Sequence, residues 1–229
     1  MEPMEQKTLQ QRLSEVLTDK QIAEQLLLTR ELMACYKCAM YEVETKFRVL
    51  NENFSVQNER NPIESIKTRL KSPESIAKKL NKMGLSMSPE TVERELHDVA
   101  GVRVICSFLD DIYMLSDCLV NQTDVTLIEK KDYIKNPKAN GYRSLHLIIE
   151  IPIFLHDHTR NMKVEVQLRT ITMESWADLE HKLRYKKDLS EEVQSRIGEE
   201  LAECAALCNT LDKKMQSVKN IVMSSETIK

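Results

Sequence analysis

Apolar residues recur with two different periods along this chain, and the periods divide it into helical ends and a mixed middle. From Asp19 to Phe54 there is neither Gly nor Pro, and Leu26, Met33, Met40, Phe47 and Phe54 follow one another in heptad steps, with Ile22, Tyr36, Val43 and Leu50 between them. That spacing predicts a long amphipathic helix, or two abutting ones, after a shorter helical piece from Leu9 to Leu17. Past Leu189 a second heptad pattern runs through Ile197, Cys204, Leu211 and Val218, and in a second register through Leu201, Cys208, Met215 and Val222. It predicts a helix that pairs, either with the N-terminal helix or with another subunit, and whose last residues, SSETIK, fray.

Between these ends the pattern shortens. Asn61-Pro62 ends the first helix, because the residue before a proline is pushed out of the helical region. Ser72-Pro73-Glu74 reads as an N-cap, first helical residue and acidic first turn of a helix ending at Gly84, and Ser88-Pro89-Glu90 opens another to about Leu96. Val99 to Ser107 is apolar and reads as a central strand, and Leu109 to Leu119 as a helix. Asp124 to Asp132 reads as a strand with Val125 and Leu127 on one side. Pro137, Asn140 and Gly141 mark a turn before a strand from Ser144 to Ile151, whose Leu145, Leu147, Ile149 and Ile151 point inward. Pro152 and the polar stretch from His156 to Asn161 then make a turn, so that this strand and Met162 to Thr170 form an antiparallel hairpin. A helix from Ile171 to Lys186 carries the single Trp of the chain, Trp176, expected as a packing anchor against the sheet.

The strand from Met162 to Thr170 concentrates the chemistry. Met162, Val164, Val166 and Leu168 share one face; Lys163, Glu165, Gln167 and Arg169 share the other. Same-face neighbours stand roughly 6.5–7 Å apart, a spacing that suits a bound polyphosphate with its metal, although a half-solvated strand of mixed charge is also common. His146 belongs to the same sheet. Around Ser72 the chain is basic: Lys67, Arg69, Lys71, Lys78, Lys79 and Lys82 face only Glu74. Cations around a helix N-terminus, where free N–H groups and the helix dipole converge, read either as an anion site or as a plain solvated face. Asp98, at the mouth of an apolar strand, is either a helix–strand cap or a metal ligand, and Arg103 on that strand needs a partner. The preceding His97 lacks the further ligands of a His-Asp metallohydrolase. Tyr142, following Gly141 and flanked by Lys138 and Arg143, either stacks on a base beside its phosphates or folds back on the sheet.

Charge narrows the partners. The 33 basic and 36 acidic residues leave a net charge of −3, so polyanions meet no global attraction and a nucleotide must be held locally. The absence of a long basic stripe or basic C-terminal tail argues against nucleic acid as a substrate. The polar start and the lack of an apolar run near the roughly 20 residues of a membrane span point to a cytoplasmic protein without membrane contact. Cys35-x-x-Cys38 and Cys204-x-x-x-Cys208 would be two halves of a zinc site, but both lie in helical patterns without turn residues and are read as helix-packing positions.

Four stretches carry a resemblance: RLKSPESIAKKL (69–80), DVAGVRVICSFLDDIY (98–113), KDYIKNPKANGYRSLH (131–146) and VEVQLRTITMESWADLEHKLRYK (164–186). In order and spacing they resemble the single-domain type of the RelA/SpoT family of GTP pyrophosphokinases, the small alarmone synthetases. The resemblance implies an α+β fold, a mixed β-sheet flanked by helices and related to nucleotidyltransferases, with long N- and C-terminal helices. It implies a helical segment over 1–60, a synthetase domain over 61–187 and an oligomerisation helix over 188–229, assembled as a homotetramer through the terminal helices. The reaction implied is transfer of the β,γ-pyrophosphate of ATP to the ribose 3′-oxygen of GTP or GDP, giving AMP and the alarmones pppGpp or ppGpp, without the hydrolase activity of the long relatives.

Carried over position by position, Arg69 and Arg103 lie against adenine, and Lys71, Ser75 and Lys79 on the ATP phosphates. Asp98 and Glu165 hold Mg²⁺, with Glu165 taking the 3′-OH proton. Tyr142 stacks on guanine, Lys138 and His146 meet the acceptor phosphates, and Asn140, Gln167 and Arg169 complete and order the GTP/GDP side. Where relatives often carry Asp or Asn, this chain has Glu174, whose carboxylate is expected to accept from guanine N1–H and N2–H.

Overall fold

The structure, a computed structural model, describes residues 9–58, 60–184 and 190–226. The polar N-terminal residues before Leu9, the domain boundary expected near residue 187 and the last three residues of the fraying end lie outside the described residues. Five strands form one mixed sheet in the order β1-β2-β5-β4-β3: β1 is Ile63–Leu70, β2 Ala100–Cys106, β3 Thr126–Asp132, β4 Leu145–Phe154 and β5 Thr159–Thr170. The β2–β5 pair is parallel and the others are antiparallel. The helices are α1 Leu9–Asn58, α2 Pro73–Lys82, α3 Pro89–Glu95, α4 Leu109–Val120, α5 Ile171–Arg184 and α6 Glu191–Glu226. The mixed sheet flanked by helices, with long helices at both ends, is the fold expected.

One face of the sheet makes the core. Val102, Val104, Leu145, Leu147, Val164, Val166 and Leu168 are buried there with Leu80 of α2, Val92 of α3 and Ile112 of α4. The N-terminal helix enters the same core: Tyr36, Val43 and Phe47 of α1 are fully buried among these residues. Leu9–Asn58 is one helix of 50 residues packed into the sheet's core rather than a short piece and a long one.

Local signals act as expected at the caps. Ser72 accepts from Ser75 N at 3.3 Å and Ser88 from Thr91 N at 3.2 Å, each followed by Pro at the first helical position. Gly84 closes α2 at φ 72°.

Several expectations are corrected. Strand β1 lies inside the stretch that reads as a run of charge; its Ile66, Thr68 and Leu70 alternate with Ser65, Lys67 and Arg69, a period of two hidden by the cations. Pro152 does not end β4 but pairs with Asn161 inside it. Pairing with β3 stops at Glu150, so the missing N–H of Pro152 falls where β4 has lost one neighbour. Leu127 is not on a core face: β3 is an edge strand, irregular between Leu127 and Glu129, and Leu127 stays 40% exposed. Trp176 packs not on the sheet but on α6, in a separate cluster with Leu201 and Ala205, its Nε1 donating to Leu201 O at 2.8 Å. Of the cysteines expected in helix packing, Cys35 is buried and Cys208 half-buried, whereas Cys38 and Cys204 are exposed. Helix α6 buries Leu201, Ala205 and Asp212 and leaves Leu207, Leu211, Met215, Val218 and Val222 about half exposed or more. Among the described residues no helix is long and apolar enough to cross a membrane.

Candidate active site

Strand register lays the chemistry out in rows on the face opposite the core. Lys67, Arg103, Gln167, His146 and Lys131 are successive partners across β1, β2, β5, β4 and β3. The neighbouring row runs Arg69, Gly101, Glu165. Gly101 puts no side chain between the guanidinium and the carboxylate, and this is where the floor of the cleft is open. The cleft encloses about 540 Å³ and is walled by Arg69, Lys71, Asp98, Arg103, Tyr142, Glu165, Gln167 and Arg169, a size that accommodates small-molecule ligands.

On the β1–α2 side, Asp98 is clamped by two ammonium groups, Lys71 Nζ at 2.5 Å and Lys79 Nζ at 2.8 Å. Burial pushes its carboxyl up, but the two lysines outweigh burial and hold it below the ordinary carboxylate value. Asp98 is thus paired by side chains and is not a helix–strand cap. The adjacent His97 turns to Lys163, 3.3 Å away, so the His-Asp dipeptide does not act as a unit. Ser75 stands in the first turn of α2, two residues into the helix that Lys71 precedes.

On the opposite side the side chains are tied to one another. Glu165 meets His146 Nδ1 at 3.2 Å and accepts from Gln167 Nε2 at 2.9 Å. Burial raises its carboxyl, the hydrogen bond and charge of His146 and the Gln167 amide lower it further, and Asp98 pushes back up; the net result lies below the ordinary value. Asp98 and Glu165 therefore feel one another across the cleft. Tyr142 folds back on the sheet and still lines the cleft. Its hydroxyl is bound by His146 Nε2 at 2.8 Å and by Arg169 Nη2, which fixes it to the sheet, while its ring lines the cleft. Lys138 Nζ and the Arg169 guanidinium each lie 5.0 Å from the ring centroid. Asn140 accepts from Tyr142 N at 3.2 Å, an Asx-type turn that shapes the loop rather than a group lining the cleft.

Two expected placements change. Glu174 is 6% exposed and does not line the cleft; its oxygens accept from Lys67 at 2.7 Å, Arg103 at 3.1 Å and Arg169 at 2.8 Å. Burial raises its carboxyl, and these three cations bring it below the ordinary value. It ties the outer ends of these three cations together. Arg143 is also buried, and points to α6 rather than standing beside the Tyr142 ring.

Asp178, Glu180 and His181 also line the cleft and were missed from sequence, and Lys67, read there only as one of the cations around Ser72, lines it too. For Lys67 the signal was its position two before Arg69 on a strand; for α5 it was the i, i+4, i+7 spacing of Glu174, Asp178 and His181, which puts them on one helix face. Among the described residues no group of three His, Cys, Asp or Glu side chains converges on a metal position.

A mixed sheet with two facing carboxylates, cations on one wall and an aromatic ring on the other defines a protein that handles nucleotide polyphosphates. The sequence profile described as a region found in RelA/SpoT proteins matches residues 68–190, and the chain belongs to that family. It is 43% identical to the GTP pyrophosphokinase YwaC of Bacillus subtilis (strain 168) over 187 residues, which covers 82% of this chain and 88% of that protein. The solved structure of small alarmone synthetase 2 from Bacillus subtilis superposes with a TM-score of 0.74 at 42% identity, covering 83% of this chain and 97% of the other. Small alarmone synthetase 1 from Bacillus subtilis, solved bound to its product pppGpp, superposes with a TM-score of 0.76 at 28% identity, covering 85% and 97%.

Proposed function

We propose that the chain is a GTP pyrophosphokinase: it transfers the β,γ-pyrophosphate of ATP to the ribose 3′-oxygen of GTP or GDP, releasing AMP and forming pppGpp or ppGpp. The observation that carries this is the pairing of Asp98 and Glu165 in one cleft, each half-buried, each ionised by its own partners, with cations on one side and Tyr142 on the other.

ATP lies on the β1–α2 side, its adenine against Arg69 and Arg103 and its phosphates at the start of α2, where Lys71 and Ser75 stand at the positive end of the helix and Lys79 reaches in from the last turn. The guanosine nucleotide lies on the other side, its base on the Tyr142 ring and its phosphates near Lys138 and His146. A base on that ring displaces the Lys138 ammonium from the ring face toward the phosphates. Glu174 contributes indirectly, by holding Lys67, Arg103 and Arg169 in place.

The two carboxylates fit Mg²⁺, a hard cation that takes few protein ligands and completes its shell with water and phosphate oxygens. Held by Asp98 and Glu165, such an ion would supply positive charge to neutralise that of the transferred group. Lys71 and Lys79, released from Asp98, move their charge to the phosphates. Glu165 orients the 3′-OH and accepts its proton as the new O–Pβ bond forms and the Pβ–O bond to AMP breaks. Because a carboxylate is a far weaker base than an alkoxide, proton transfer accompanies bond formation rather than preceding it. Gln167 and His146 hold the carboxylate in that orientation.

The half-exposed apolar residues of α6 support self-association through the terminal helices, as a homotetramer, with residues 61–187 forming the synthetase domain; light scattering on the purified chain measures the assembly.

The activity test is incubation with Mg²⁺, ATP and, separately, GTP, GDP, ADP or uncharged tRNA. AMP appearing in step with a more highly charged guanosine product is expected. AMP appearing only with ADP or tRNA overturns the acceptor, and no AMP with any acceptor overturns the activity.

A further inference from the structure

The Tyr142 loop is held by the C-terminal helix as well as by the sheet. Gly141, at φ 88°, lies against α6: a Cβ there would stand 2.6 Å from Ala205 Cβ and 3.6 Å from Trp176 Cζ2. On the other side of Tyr142, the buried Arg143 donates from Nη1 to Asp212 Oδ2 at 3.3 Å. Asp212 is 6% exposed, and the same oxygen accepts from Thr170 Oγ1 at 3.1 Å. Thr170 Oγ1 in turn accepts from Met173 N at 3.2 Å, where β5 turns into α5. Among the described residues Asp212 is the one carboxylate paired with Arg143, whose buried Nε has no partner there.

Both neighbours of Tyr142 are thus fixed by one helix that contributes no residue to the cleft wall. The Tyr142 hydroxyl is fixed separately, by β4 and β5. A phenol anchored only at its oxygen can still swing about that point; anchoring the backbone on both sides sets the plane of the ring. We propose that Asp212 is a positioning residue for the acceptor nucleotide: through Arg143 it holds the Tyr142 ring at its angle in the cleft, so that α6 sets affinity for the guanosine nucleotide without touching it. This rests on the proposed stacking of guanine on Tyr142. Because Leu207, Leu211 and Val218 lie exposed on the far side of the same helix, whatever covers that face bears on acceptor binding through Asp212.

The test is steady-state kinetics of the full chain with Mg²⁺, ATP and GTP, together with thermal melting. Asp212→Asn keeps the shape and the bond to Thr170 but removes the charge, and is expected to raise KM for GTP about fivefold or more while KM for ATP and kcat stay within about twofold. The double variant Arg143→Met/Asp212→Asn removes the stranded cation, so its melting temperature recovers toward wild type while KM for GTP stays raised. A KM for GTP that recovers with the melting temperature, or parallel changes in both KM values, reduces Asp212 to a stabilising residue and overturns the proposal. Tyr142→Ala separates the two ideas. If it raises KM for GTP and Asp212→Asn does not, positioning by Asp212 fails and stacking stands. If it leaves KM for GTP unchanged, stacking fails and the route through Tyr142 fails with it.

Discussion

The two walls of the cleft are built differently. The wall carrying Arg69, Lys71 and Lys79 comes from one short stretch, strand β1 and helix α2, and is partly solvated: the Lys79 side chain is 40% exposed even while paired to Asp98, against 15% for Lys71. The wall carrying Tyr142 and Arg169 is built on β4, β5 and α5 and backed by α6, with buried charges neutralised by partners far away in sequence, such as Glu174 by Lys67 and Arg143 by Asp212. A locally built, solvated wall can lose one contact and keep its shape, because water replaces the lost partner. A wall built from buried pairs loses its order with its charge balance.

The largest expected effect falls on the seam between the walls. Glu165→Gln should lower kcat by about 10²–10⁴-fold while nucleotide binding persists; turnover near wild type would remove Glu165 from proton transfer. Next comes a contrast in stability. Glu174→Ala leaves Lys67, Arg103 and Arg169 without their shared carboxylate and should cost about 3–5 kcal/mol in urea unfolding, whereas Asp98→Ala, whose partner Lys79 reaches water, should cost about 1 kcal/mol. Equal costs would erase the difference between the walls. Arg69→Ala should raise KM for ATP about tenfold and change unfolding free energy by no more than about 0.5 kcal/mol; a comparable rise in KM for GTP would break the division of the cleft into two nucleotide sides.

The smallest effect is in pH. Asp98, Glu165 and Glu174 are all held below the ordinary carboxylate value in the fold. Each therefore stabilises the native state above its unfolded value of about 4, and that contribution is lost as pH falls through the lower folded value. Melting temperature should drop as pH is lowered from about 5 to 3, and Glu174→Gln should drop less steeply than wild type.

The same contrast explains what was legible. On the β1–α2 wall, Ser72, Pro73, Lys71 and Lys79 lie close together in sequence, so a cap and a cluster of cations read directly as a candidate anion site. On the other wall, residue type and face were legible for Gln167, Arg169 and His146, because alternation and the hairpin place them on one sheet. Their partners were not. Glu174 was expected at guanine from its place in the family pattern, yet it accepts from three cations, one of which comes from a strand the charge run concealed. Arg143 read as a cation beside an exposed ring, yet it turns into the protein.

What the sequence determined by itself is whatever depends on spacing along the chain: the face-to-face alternation of β5, the proline-marked helix starts, the glycine turn before Tyr142 and the long apolar repeats of α1 and α6. The tertiary structure decided which distant groups meet: Trp176 on Leu201, Glu174 on Lys67 and Arg103, and Arg143 on Asp212. Periodicity tells which side of an element is apolar, but a buried charge is stable only where its counter-charge arrives, and that is set by how α5 and α6 dock on the sheet.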